Sequence, residues 1–365
     1  MSRLQTILAW LSGLSSAVAL GMALAEGAAP LPRLFFLTLG PVSLLRFRRP
    51  LPVWFDGVQM LIGAVGLLLT LPLHESEPPY FWLGLLACWL FSWLFVERLS
   101  QAIRERRITG RVFGLLIPLV FGLALLLGWE LVTRGANVPQ VLLPAPSQIF
   151  DRLVNSIPTL IADFQQTFLK AVLAGYVMGC GAGFVVAILV DRSPFLKRGL
   201  LPIGNFVSAL PIIGIAPIMV MWFGFDWPSK AAVVVAMTFF PMLVNTVAGL
   251  NVASSIERDL MRTYAAGYWQ TLLKLRLPAA APFIFNALKI NSTLALIGAI
   301  VAEFFGTPIV GMGFRISTEV GRLNIDLVWA EIAVAAVAGS AFYGVIALIE
   351  RAITFWHPSV RGGRA

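Results

Sequence analysis

The chain has 365 residues, 58% of them hydrophobic and only 12% charged, with a formal net charge of +9 and a mean hydropathy of +0.85. That composition excludes an ordinary water-soluble globule. The Lys and Arg excess does not mark a nucleic-acid partner, because it lies in short loops beside apolar runs, where membrane topology accounts for it.

A helix needs about 20 apolar residues to cross the hydrocarbon core. Such runs fall near residues 5–25, 32–46, 52–73, 79–97, 112–132, 164–190, 199–223, 230–250, 282–304 and 328–350, so the sequence predicts an all-α polytopic membrane protein with about ten transmembrane helices. The second run is short and interrupted by Gly40 and Pro41. The first run, opening on Arg3 and closing on Ala23-Leu24-Ala25 before Glu26, also fits a secretory signal with its cleavage site. Alternate loops hold the basic residues: Arg46, Arg48 and Arg49, then Arg98 to Arg111, then Arg192, Lys197 and Arg198, then residues 258–276 and the tail. Basic residues accumulate on the cytoplasmic side, so both termini are expected there.

Residues 98–111, R-L-S-Q-A-I-R-E-R-R-I-T-G-R, form the natural boundary between an extension of about four helices (1–97) and a core (112–365), and read as a solvated cytoplasmic linker or a lipid-headgroup site. Asp56 in the extension is expected to snorkel at the cytoplasmic boundary. Cys88 and Cys180 both fall inside spans and read as small apolar residues rather than a disulfide.

In the core, Gly175, Gly179 and Gly183 recur every four residues, a small-residue stripe that admits a neighbouring helix or lines a path. Pro202, Pro211 and Pro217 free carbonyls in the next span, tolerable only beside neighbours or a cavity, so Pro211 and Pro217 are candidate pathway residues. Lys289, Thr293, Leu296, Ile300 and Glu303 follow at three- or four-residue steps on one helix face. That face is expected to line a translocation route or an interface, or to snorkel at both boundaries. Lys170, after Gln165, Gln166 and Thr167, reads as a boundary or ligand-contact residue. No catalytic constellation is present: His74 and His357 lie in a loop and the tail, no metal cluster is formed, and no G-x-x-x-x-G-K-[ST] phosphate loop occurs. The chain is therefore not expected to be an enzyme or to bind a cofactor.

Between two spans runs D-L-M-R-T-Y-A-A-G-Y-W-Q-T-L-L-K-L-R-L-P-A-A-A-P, Asp259 to Pro282, basic and hence predicted to be cytoplasmic. Leu260, Tyr264, Trp269, Leu272, Leu273 and Leu277 recur at near-helical spacing, and Pro278 and Pro282 are expected to end the pattern. The segment reads as a short amphipathic helix, seated on a partner or lying in the membrane interface.

This segment resembles the signature loop of permease subunits from type I binding-protein-dependent ABC importers. The family's Glu-Ala-Ala positions hold Asp259, Leu260 and Met261, its Gly position holds Ala265, its aliphatic position holds Leu275, and Leu277-Pro278 close the motif. Trp269-Gln270, L-P-A-P-S-Q-I-F from Leu143, A-P-I-M-V-M-W-F-G-F from Ala216, Ser229-Lys230, F-F-P-M-L-V-N-T from Phe239 and A-L-I-G-A-I-V-A-E-F-F-G from Ala295 resemble the nitrate, sulfonate, taurine and vitamin-precursor branch. The resemblance implies a core of about six helices in a bacterial inner membrane, a permease homodimer or heterodimer, and an extracytoplasmic binding protein docking on loops 134–163, 224–229 and 305–327. It also implies separate ATPase subunits, which carry the ATP and Mg. Asp259, Arg262, Tyr264, Ala265, Gly267, Trp269, Gln270, Leu277 and Pro278 would form the ATPase-coupling segment, with Lys274 and Arg276 orienting the contact. An ion-coupled secondary transporter or a membrane receptor would share the composition; the first would be expected to show two related halves, which the sequence does not display.

Overall fold

The computed structural model describes residues 2–28, 32–33, 35–36, 39–40, 52–71, 78–105, 111–208, 211–306 and 309–356. Among them the chain is helical, and eight stretches are long and apolar enough to cross a membrane. The run at 32–46 lies largely outside the described residues, as do His74 and His357. The run at 199–223 is divided into two shorter helices.

Two compact units divide the chain at Met1–Phe150 and Asp151–Ala365. The first holds α1 (Arg3–Ala25), α2 (Val53–Thr70), α3 (Pro79–Arg104) and α4 (Arg111–Gly135), and α5 (Pro146–Asn155) straddles the boundary. Ser2 caps α1 through the reciprocal Ser2–Gln5 bonds. Phe35, Phe36, Leu67, Phe81 and Phe91 fill the unit's core. Helix α3 continues through Arg98 to Arg104, so the first half of the basic boundary stretch is helical. Asp56 does not snorkel: it is wholly buried and paired with Arg98. A neutral pair inside a bundle avoids leaving a lone charge in hydrocarbon, which explains why the acid turns inward.

The second unit holds α6 (Ile157–Phe164), a π turn (Gln165–Val172) and α7 (Leu173–Arg192), which form one 36-residue stretch. Then come α8 (Pro194–Ser208), α9 (Ile212–Phe223), α10 (Trp227–Leu250), α11 (Ser255–Thr263), α12 (Tyr268–Thr271), a second π turn (Leu272–Arg276), α13 (Leu277–Glu303), α14 (Met312–Gly321) and α15 (Ile325–Ile353). Helix α12, the π turn and α13 again form one 36-residue stretch.

At the centre α7, α10 and α13 pack face to face. Lipid tails are as apolar as Leu, so close backbone approach rather than hydrophobic burial must hold such helices together. Gly175, Gly179 and Gly183 supply that approach: a Cβ at Gly175 would meet Val234 and the Ala231 carbonyl, and one at Gly183 the Phe239 carbonyl and Met242. Asn291 of α13, fully buried, donates to the Thr238 carbonyl of α10 at 2.8 Å and to Cys180 Sγ of α7 at 3.2 Å. The Tyr176 hydroxyl donates to the Leu288 carbonyl at 3.0 Å.

Candidate functional site

The stretch at 255–276 is not one amphipathic helix but two helices joined by a turn. Ser254 and Glu257 exchange capping bonds of 3.2 and 2.8 Å at the start of α11. The bond from the Ser254 backbone N–H, foremost, holds the Glu257 carboxyl below its ordinary range. Asp259 and Arg262 pair at 3.3 Å on the exposed surface. The helix then closes on a Schellman motif: Ala265 N–H donates to the Arg262 carbonyl and Ala266 N–H to that of Met261, at 2.8 and 3.0 Å. The left-handed residue of that motif is Ala265, with φ of 52°. Glycine ordinarily holds such a position. Gly267 then precedes α12, and Gln270 Oε1 accepts from its N–H at 3.2 Å.

Nothing in α11 is buried. Ile256 and Tyr264 are 80% and 78% exposed, and Trp269 is 55% exposed, with Leu260 and Leu273 also open. Trp269 rests edge-on against Tyr268, with Arg192 above both rings.

Pro278 and Pro282 do not end a helix here; α13 begins at Leu277 and runs through both. A proline in a first turn costs no hydrogen bond, and the π turn before it absorbs the shift, Leu277 N–H bonding back to the Leu272 carbonyl. Leu277 packs against a buried cluster of Leu250, Leu272 and Ala280. Arg276 is likewise no loop charge. Its guanidinium grips Asp191 through two bonds of 2.7 and 2.6 Å, and its Nε donates to the Leu250 carbonyl at 2.9 Å. The Tyr268 hydroxyl adds a third bond to Asp191 at 3.0 Å. A bidentate pair of this kind fixes both distance and orientation. It ties the foot of α13 to the ends of α7 and α10, and it withdraws Arg276 from any outside contact. Lys274 stays exposed.

At the other end of α13, Glu303 is 2% exposed. It accepts from the Thr167 hydroxyl at 2.8 Å and from Gly313 N–H at 2.7 Å. Thr167 in turn accepts from Met312 N–H at 2.8 Å. Asp163 accepts from Gly311 N–H at 2.6 Å and from Arg315 Nε at 2.8 Å, and Glu331, fully buried on α15, lies against it. Its hydrogen bonds to the Asp163 carboxylate hold the Arg315 guanidinium above its ordinary value. Gly311, at φ of 144° with the Glu303 carboxylate against it, leaves no room for a side chain. This knot joins α6, the first π turn, α13, α14 and α15. Beside it Lys230, 1% exposed, donates to the Phe225 carbonyl at 2.6 Å. Gln166 bridges Lys170 and Asp226 with bonds of 2.9 and 2.8 Å. Asp226 lies below the ordinary carboxylate range, chiefly through the hydrogen bond from Trp227 N–H.

The face drawn through Lys289, Thr293, Leu296, Ile300 and Glu303 is split. At 100° per residue these five spread over about 80° of the helix circumference. That arc straddles the edge of the packed side: Leu296 and Glu303 fall inside, Ile300 is half-buried, and Thr293 is exposed. Lys289 turns to α15 and pairs with Glu350 at 2.7 Å. Pro211 caps α9 in extended backbone and is exposed, while Pro217 lies inside α9.

Asp163, Asp191, Arg315 and Glu331 are site residues that sequence reasoning missed. Their partners lie 85 to 152 residues away for Arg276–Asp191 and Arg315–Asp163, beyond any periodicity. The one available signal was their polarity at the edges of apolar runs. Among the described residues no group of His, Cys, Asp and Glu is arranged to hold a metal.

The sequence model for the inner membrane component of binding-protein-dependent transport systems matches residues 175–355. A probable ABC transporter permease protein of Haemophilus influenzae is 32% identical over 216 residues, 59% of this chain and 87% of that protein. The formylaminopyrimidine transport permease protein ThiX of Halalkalibacterium halodurans is 30% identical over 246 residues, 67% of this chain and 98% of that protein. The riboflavin transport system permease protein RibX of Chloroflexus aurantiacus is 28% identical over 269 residues, 72% and 98% of the two chains.

Proposed function

This chain belongs to the family of inner membrane components of binding-protein-dependent transport systems, the permeases of ABC importers, and from that premise we propose that it is the translocating subunit of an ATP-driven importer for a small solute. ATP hydrolysis belongs to separate ATPase subunits, and a binding protein outside the membrane delivers the solute. The observation that carries the reading is the exposed aromatic segment at the foot of one continuous 36-residue helix whose far end is locked into the polar knot.

Residues 255–273 face the cytoplasm and seat in an ATPase groove. Trp269, Tyr264, Leu260 and Ile256 anchor there, with Asp259 and Arg262 at the rim of the contact. The Arg276–Asp191 clamp makes the segment move with α13 rather than independently of it. A helix of 36 residues is about 54 Å long, enough to carry that motion across the bilayer. At its far end α14 and the residues around Asp226 meet the binding protein. Loading outside and ATPase closure inside thus act on the same rigid element, and the core switches between two openings as a body. Two copies of the chain enclose the route, and both termini lie in the cytoplasm. The matches to ThiX and RibX, spanning 98% of each, support a pyrimidine- or flavin-type solute, and a sulfonate permease of Bacillus subtilis, 28% identical over 269 residues, supports a sulfonate alongside it.

The test is co-purification of ATPase subunits with the detergent-solubilised chain, wild type against the Leu260→Ala, Trp269→Ala double variant. Both side chains are exposed, so the variant is expected to keep its melting temperature and to lose the ATPase. A folded wild type that captures no ATPase would sink the proposal in favour of ion-driven transport.

A further inference from the structure

Helix α13 leaves one stripe open between its neighbours, and the stripe is not uniformly apolar. Asn286, Ile290, Thr293 and Ile297 follow at steps of four, three and four residues, and all are exposed. Asn286 and Thr293 stand nine and sixteen residues beyond the start of α13, within the depth of a bilayer rather than at its surface. On the packed side the polar side chains have partners in the chain: Asn291 reaches Thr238, and Ser292 the Lys289 carbonyl. An exposed amide and hydroxyl at that depth would be costly against lipid and call for water or a polar partner.

A second feature lies at the same depth. Between α8 and α9 the apolar run at 199–223 is broken, and Pro211 is exposed in extended backbone, with φ of −68° and ψ of 121°. Non-helical backbone at membrane depth is tolerated only when buried in protein or bordering a water-filled cavity. The break can be levelled against α13. Ala216 packs in one cluster with Ala302, and Phe225 and Val220 lie against Gly306, so α9 and α13 run the same way side by side. Counting five residues back along both puts Pro211 level with Ile297, about one turn from Thr293.

We infer that Asn286 and Thr293, at the depth of the Pro211 break, are solute-contacting groups of the route, and that the solute they pass is uncharged and carries both hydrogen-bond donors and acceptors. The amide and the hydroxyl each donate and accept. Among the described residues the charges beside the stripe, Lys289 and Glu350, cancel in their 2.7 Å pair, so this stretch offers an anion no uncompensated cation. The inference rests on the importer reading and gives its solute a chemical class.

Single cysteines at the stripe (Asn286→Cys, Thr293→Cys) and at the apolar exposed face of α4 (Leu123→Cys) test it in the full complex in native membranes. The two natural thiols, Cys88 and Cys180, are buried and serve as background. Membrane-impermeant methanethiosulfonates, one bearing a sulfonate and one a trimethylammonium group, are applied to right-side-out and inverted vesicles with and without ATP. The stripe cysteines are expected to react at least tenfold faster than Leu123→Cys in one of these conditions, with the two reagents keeping the rate ratio they show towards a free thiol. Stripe cysteines no faster than the α4 control in every condition overturn the wall. A more than tenfold preference for the anionic reagent overturns the uncharged solute. Failure of the importer reading shows separately, as loss of ATPase co-purification with labelling intact.

Discussion

The two ends of the permease core are built on the same device and finish it in opposite ways. Each 36-residue stretch contains a π turn, and each π turn carries a polar anchor: Thr167 at one end, Arg276 at the other. Around Thr167 the polar groups close on one another until Asp163, Glu303 and the backbone of residues 311–313 are buried and bonded. Around Arg276 the closure stops at Asp191, and the two short helices before it lie open with their aromatic residues outward. A polar group that finds its partner within the chain contributes to stability. A cluster of exposed apolar groups at the end of a span marks a surface for another chain or for the membrane interface. The difference therefore separates residues that hold the core from residues that connect it.

Substitutions can break that division. The largest effect is expected at Asp163→Ala, which strips Arg315 of its partner and leaves the Gly311 N–H unbonded. Removing one member of a buried ion pair costs about 3–5 kcal/mol. Thermal unfolding in detergent should show it, beside a Trp269→Ala variant within about 0.5 kcal/mol of wild type. Equal losses in the two variants would erase the distinction between the ends. Arg276→Leu is the intermediate case, because Tyr268 still donates to Asp191 after the guanidinium has gone. A loss of about 1.5–3 kcal/mol is expected, the size of a hydrogen bond to a charged group. It should be accompanied by faster amide hydrogen exchange across residues 264–276. Unchanged exchange there would mean that the clamp does not tie the exposed segment to α13.

The membrane class and most of the crossing helices were legible in the sequence, because hydrocarbon imposes long apolar runs and little else competes with that signal. The start of α13 was not. Pro278 reads as a stop in isolation, and only the π turn before it makes that proline harmless. Arg276 reads as a loop charge because positive residues normally mark cytoplasmic loops, while its partner Asp191 stands 85 residues earlier. The pathway face was drawn from Lys289 to Glu303, between two charged residues that are rare in membranes, so it took in Thr293 and left out Asn286. In the structure Glu303 is locked away and Lys289 is paired, and the open polar residues are the neutral Asn286 and Thr293. Ala265 sits between these cases. Its place at the glycine of a family motif was readable, but its positive φ was not.

That backbone angle gives the smallest and sharpest test of how the connecting end is made. A left-handed conformation costs a residue with a Cβ about 1–2 kcal/mol, and glycine avoids this while losing about 0.5–1 kcal/mol more conformational freedom on ordering. Ala265→Gly should therefore stabilise the turn between α11 and α12 by about 0.5–1 kcal/mol, and a β-branched Ala265→Val should weaken it. Hydrogen exchange at Ala265 and Ala266, whose N–H groups close the Schellman motif, reads both changes directly. Slower exchange in the glycine variant would show that the exposed segment is strained by its own sequence and held in shape by its caps. Faster exchange would mean that the turn is not left-handed in the membrane, and that the two short helices take their arrangement from whatever covers them.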